Sequence, residues 1–142
     1  MNILVSSCLL GLDCRYCGNN SFSESVAALS KSHTLIPVCP EQMGGLPTPR
    51  APLERAGTKM VDKDWHDFSA AMEKGAEEVL KIAELLVCKH AITKSKSPSC
   101  GYGIIYDGKF SSHLIEGNGI TTDRLLAAGI EVTDENHLSR YL

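Results

Sequence analysis

Four short apolar runs rich in β-formers frame this chain: NILVSS at 2–7, HTLIPVC at 33–39, ELLVCKHAI at 84–92 and IEVTDE at 130–135. Runs this short read as buried strands rather than helices. Helical patterns lie between them. SFSESVAALSKS places Val26 and Leu29 on one face, with Ser23 as N-cap. Residues 64–86 carry Trp65, Phe68, Met72, Ala76, Val79, Leu80 and Ala83 at helical spacing, with Asp64 positioned to cap. TTDRLLAAG reads as a short helix closed by Gly129, and Asp134 caps a last turn in ENHLSRYL. Strands alternating with helices predict a largely parallel sheet with right-handed crossovers. GIIYDGKFSSHLI adds a β-hairpin turning at Asp107-Gly108. The expected fold is α/β, a Rossmann-like open sandwich with a mostly parallel sheet and an added β-hairpin, with residues 1–142 as a single domain.

Composition narrows the function classes. The net charge is −3 and no basic stripe stands out, so a nucleic-acid partner is not expected. No segment approaches a membrane span, and MNILVSSC lacks the positive start and long apolar run of a signal peptide, which predicts a cytoplasmic protein without a membrane partner. Oligomeric state is not legible. In a reducing compartment six cysteines point to metal binding, catalysis or burial rather than disulfides.

The positions of those cysteines carry the argument. Cys8 ends the first strand, Cys39 ends the second, and Cys100 lies in the loop after the third. In a parallel sheet the carboxyl ends share one edge, where ligands bind in such folds. Three converging thiolates are one short of a closed structural zinc site. They suit a [4Fe–4S] cluster with one iron left open, an exposed Lewis acid. Spacing alone also leaves open that these are small buried residues. Cys88, inside an apolar strand, reads as buried. Cys14 and Cys17 form a CxxC, a zinc half-site or redox pair.

Acid–base and binding groups surround these thiols. Glu41 follows Cys39 by two residues in CPE and could move a proton, or be an exposed loop carboxylate. Ser97 and Ser99 flank Pro98 ahead of Cys100, placed to hydrogen-bond a ligand or to cap a turn. Arg50 offers a bidentate donor, Lys94 is a weaker counterpart, and Gly44 and Gly45 let backbone approach a ligand. The Pro/Gly-rich stretch 40–57 reads as a long functional loop. No paired-histidine motif, Walker loop, GxGxxG or GxSxG occurs.

Taken together, SSCLLGLDCRYCG, PVCPEQMGGLPTPRAPLE, KSKSPSCGYGIIYDGKF and GNGITTDRLLAAGIEV resemble the 2-thiouracil desulfidase family, formerly a family of unknown function, over nearly the whole chain. The resemblance implies a [4Fe–4S] cluster held by Cys8, Cys39 and Cys100, with Glu41 as the acidic catalytic residue and a serine of the SPSC motif, Ser97 or Ser99, assisting. It implies non-redox conversion of 2-thiouracil, or a related small thiolated compound, to uracil and sulfide. One departure is Cys17, which stands where the family usually carries an acidic residue. Two other readings are a metal- or sulfur-binding protein centred on the CxxC, and a cluster-based sensor without turnover.

Overall fold

The structure, a computed structural model, describes residues 1–142. In chain order its elements are β1 (Asn2–Ser6), α1 (Glu24–Ala28), β2 (Thr34–Val38), α2 (Pro40–Met43), β3 (Glu54–Ala56) and β4 (Lys59–Val61). There follow α3 (Ser69–Leu85), β5 (His90–Thr93), β6 (Ile104–Tyr106), β7 (Leu114–Glu116), α4 (Ile120–Ala127) and β8 (Glu131–Asp134). Four strands form a parallel sheet in the order β2-β1-β5-β8, and two separate hairpins, β3-β4 and β6-β7, are antiparallel. This is the expected open α/β sandwich with an added hairpin, plus a second hairpin. No helix is long and apolar enough to cross a membrane.

Side-chain alternation along the strands builds two cores. Ile3, Val5 and Ile92 face one side, packing with Leu9, Val26, Leu29, Leu138 and Tyr141. Leu4 and Ala91 face the other, against Val79 and Ala83 of α3 and Leu125 of α4. Cys88 lies in this second core, buried as expected. Both faces of the sheet are covered, as parallel sheets require. Ser23 caps α1 by accepting from the Val26 amide at 3.3 Å, and Gly129 ends α4 in the left-handed region at φ 81°.

Four segments depart from the sequence reading. The long helix starts at Ser69 rather than 64, because turn chemistry wins over periodicity. The Asp62 carboxylate accepts from the amides of Asp64 and His66 at 3.0 and 2.9 Å, and Asp67 bridges back to Val61. Asp64 therefore caps nothing, and Trp65 sits exposed at φ 65°. The stretch 40–57 is not a structureless loop: it holds α2 and half of the β3-β4 hairpin. The β6-β7 connection is longer than an Asp-Gly turn and spans residues 107–113, since Tyr106 pairs with Leu114. The third strand is His90–Thr93, while Glu84 and Leu85 still belong to α3.

Two glycines bring helix backbones into direct contact. A Cβ on Gly75 of α3 would overlap the carbonyl oxygen of Pro40, and one on Gly44 would overlap that of Ala71. Short α2 is thus seated on α3. Replacing a mid-helix glycine by alanine normally stabilises a helix by about 1 kcal/mol. Gly75→Ala is expected to do the opposite, costing about 1–3 kcal/mol as overpacking. Urea unfolding checks the sign: a midpoint at or above wild type refutes the seating role.

Candidate active site

The sheet order puts β2 and β5 on opposite sides of β1. The crevice at that switch point, beyond the strand ends, is where a ligand is expected. A cavity of about 530 Å³ opens there, and Cys8, Cys39, Cys100, Glu41, Ser97, Ser99, Arg50 and Lys94 all line it.

Each thiol has a local reason for its place. Cys8 sits in a 3-10 turn right after β1, closed by Gly11 at φ 93°. Cys39 is the N-cap of α2, with Pro40 pre-set at the first helical position. Cys100 ends a loop that the start of α4 clamps. Ile120 and Thr121 amides donate to the carbonyls of Pro98 and Ser99 at 3.0 and 2.9 Å, and the Thr122 hydroxyl donates to the Cys100 carbonyl at 2.7 Å. That clamp explains the GNGITT stretch.

A fourth thiol was not evident from strand ends. Cys14 is buried and lines the same cavity, flanked by the thiols of Cys39 and Cys8. Contact with Cys39 favours its thiolate, but Cys8 and burial outweigh this and push Cys14 up to about 11. Cys39 is raised by the neighbouring Cys14 thiol and by burial. Burial pushes Cys100 up to about 12 against hydrogen bonds from Ser6 and Ser99. The signal for Cys14 was its place in the CxxC, which drew attention to Cys17 as its partner. Cys17 instead is exposed and outside the cavity lining. No three cysteine sulfurs lie within 4.8 Å of one another; the one such donor set is Asp62, Asp64 and His66 in the turn before α3. The CxxC therefore forms no preassembled metal site.

Glu41 lies at the centre of a polar relay. Its Oε1 accepts from Arg50 Nε at 2.9 Å and its Oε2 from the Ser99 hydroxyl at 2.9 Å. Ser99 in turn stands 3.1 Å from the Ser97 hydroxyl. Ser97 Oγ also accepts from the amides of Ser99 and Cys100 at 3.2 and 3.0 Å, bracing the loop. The two serines thus divide: Ser99 touches the carboxylate, and Ser97 holds Ser99 and Cys100.

Other expected binders have different surroundings. Arg50 spends its guanidinium on Glu41, on Thr48 Oγ1 and Pro47 O, and on the Cys14 carbonyl at 2.8 Å. Its side chain is 7% exposed and its donors meet protein acceptors at the cavity wall. Lys94 pairs with Glu135 at 2.7 Å. Burial opposes charge on Glu135, but Lys94 and the Ser95 amide outweigh it and hold the carboxyl below its usual range. Gly44 and Gly45 do not line the cavity: Gly44 packs on α3, and Gly45 turns the chain at φ 96°.

Residues 3–137 match the family model described as 2-thiouracil desulfurase. YbbK of Bacillus subtilis (strain 168), a protein named as uncharacterised, is 39% identical over 150 residues, covering 99% of both chains. The solved structure of the [4Fe-4S]-dependent thiouracil desulfidase TudS superposes with a TM-score of 0.93 at 39% identity, covering 99% of this chain and 94% of that one.

The thiol environments make an order of reactivity. In metal-free protein, iodoacetamide is expected to label Cys17 first and Cys14, Cys39 and Cys100 last. Because the thiolate is the nucleophile, the rates at Cys14, Cys39 and Cys100 should climb about tenfold per pH unit up to about pH 11. Peptide mass spectrometry across pH reads this order; Cys39 or Cys100 labelling ahead of Cys17 refutes the environments described.

Proposed function

The chain belongs to the 2-thiouracil desulfurase family, and from that membership we propose that it is a [4Fe–4S]-dependent desulfidase of thiolated pyrimidines. The substrate class is 2-thiouracil or a related small thiolated compound, and the products are the oxo-pyrimidine and sulfide. The observation that carries the reading is the convergence of Cys8, Cys39, Cys100 and the Glu41–Ser99 pair on one cavity.

The donor set fits a cluster better than a single ion. One tetrahedral zinc with bonds of about 2.3 Å needs sulfurs about 3.8 Å apart, whereas these sulfurs do not gather within 4.8 Å. In a cubane each thiolate binds a different iron, so wider spacing is what the cluster asks for. Cys8, Cys39 and Cys100 would hold it. When bound, it supplies an open Lewis-acidic iron for the substrate's sulfur.

The protein's own residues supply the rest. Glu41 takes a proton from the water that adds to the thiocarbonyl carbon. Ser99, hydrogen-bonded to the Glu41 carboxylate at 2.9 Å, relays that proton toward the departing sulfur. The net exchange is C=S plus water giving C=O plus hydrogen sulfide, with no electron transferred. Arg50 fixes the carboxylate and, through the Cys14 carbonyl, ties the 14–16 segment to it. The partly buried setting of Glu41, whose side chain is 13% exposed, limits competing water.

Two outcomes test this reading in protein prepared and reconstituted without oxygen. Cys8→Ser, Cys39→Ser and Cys100→Ser are each expected to lose most bound iron, while Cys17→Ser and Cys88→Ser keep about four irons and four sulfides per chain. Zinc without iron after reconstitution refutes the cluster. Glu41→Gln is expected to keep the cluster and slow uracil formation from 2-thiouracil by roughly 100-fold or more; full activity sinks its role.

A further inference from the structure

The cavity has a second set of lining residues that the proposed chemistry leaves unused: Tyr16, Tyr106, Phe110 and Ser112. Two of them are held on unusual backbone. Phe110 has φ 55° and Ser112 φ 61°, in the left-handed region. A bulky phenylalanine is rare there, and such strain persists only where the surroundings enforce it.

The enforcing contacts are specific. Glu54 of β3 accepts from the amides of Gly108 and Phe110 at 3.0 and 3.2 Å through a single carboxylate oxygen. Gly108, at φ 88°, lies so close to β3 that a Cβ there would stand 2.7 Å from the Arg55 carbonyl oxygen and the Ala56 Cα. Asp107 accepts from the Lys109 amide at 2.9 Å and donates its own amide to the His113 carbonyl at 3.0 Å. The β6-β7 connection is thus fastened to β3, and the fastening brings the Phe110 ring to the cavity.

A phenyl ring offers no hydrogen bond and no charge. What it recognises is the flat face of another ring. Its aromatic neighbours are less suited. Tyr16 is 40% exposed and carries the Arg15 guanidinium over one face, 5.6 Å from the ring centroid. Tyr106 sits on ordinary strand backbone. We propose that Phe110 is a specificity-determining residue that stacks on the heteroaromatic ring of the substrate, and that Glu54 is the positioning residue that presents it. The inference rests on the desulfuration reading for its substrate class.

The experiment compares wild type, Phe110→Ala, Phe110→Trp and Glu54→Ala as oxygen-free, cluster-loaded protein of measured iron content. Two readouts are taken: KM and kcat for 2-thiouracil, and the Kd of uracil by calorimetry. Losing a stacked aromatic is expected to raise KM and the uracil Kd roughly tenfold, with kcat within about twofold and iron unchanged. Phe110→Trp should restore both, and Glu54→Ala, which removes the shared acceptor oxygen, should shift both in the Phe110→Ala direction. Wild-type turnover with KM and Kd untouched in Phe110→Ala overturns the stacking role and leaves desulfuration standing. Wild type that binds uracil through Phe110 without turning over 2-thiouracil keeps the ring site and removes desulfuration. Wild type that neither binds nor reacts overturns both.

Discussion

The parallel pairing of β1 with both of its neighbours is the constraint on which the rest depends. Ser6 stands opposite Val38 of β2, and Val5 opposite Ile92 of β5. Because register and direction are shared, the chain leaves all three strands on one edge and at similar height. A shift of one residue would send each side chain into the opposite core, so the different packing on the two sides locks the register. Ser6 adds a direct tie, its hydroxyl accepting from the Lys94 amide at 2.9 Å. Thiols 30 and 60 residues apart become neighbours without any local sequence signal linking them.

On that edge one ion pair organises the polar side of the cavity. Arg50 reaches the segment after β1, the loop after α2 and Glu41 itself. An arginine can do this because its planar fork carries five donors at fixed angles. The carboxylate's other oxygen accepts from Ser99. The same arrangement accounts for the two-serine motif, in which one hydroxyl meets the carboxylate and the other holds the loop.

Much of this was legible in the sequence, and the misses have physical causes. The four core strands could be read because apolar β-formers bounded by turn residues have few other uses. The ligand edge followed from the alternation of strands with helices. The place of Cys14 at the cavity was not legible, because burial of one cysteine of a CxxC and exposure of the other depends on how the 11–20 turn folds, which has no periodicity. Arg50 could be read as a donor, but not which acceptors it meets, because sequence shows donors without their partners. Gly44 and Gly45 looked like a ligand approach, yet what Gly44 approaches is α3. The false helix start at 64 came from Trp65, whose spacing matched the apolar face while Asp62 bent the chain away.

The seating of α2 on α3 has a consequence for motion. A helix of four residues has almost no stability of its own, since a single turn is dominated by nucleation cost. Left free, the segment carrying Cys39 and Glu41 would flicker open far more often than the sheet beneath it. Seated through Gly44 and Gly75 against a helix of 17 residues that packs into the core, it opens only when its host does. The Glu41 carboxylate is therefore carried on a segment anchored to the packed α3 rather than on a lone helical turn.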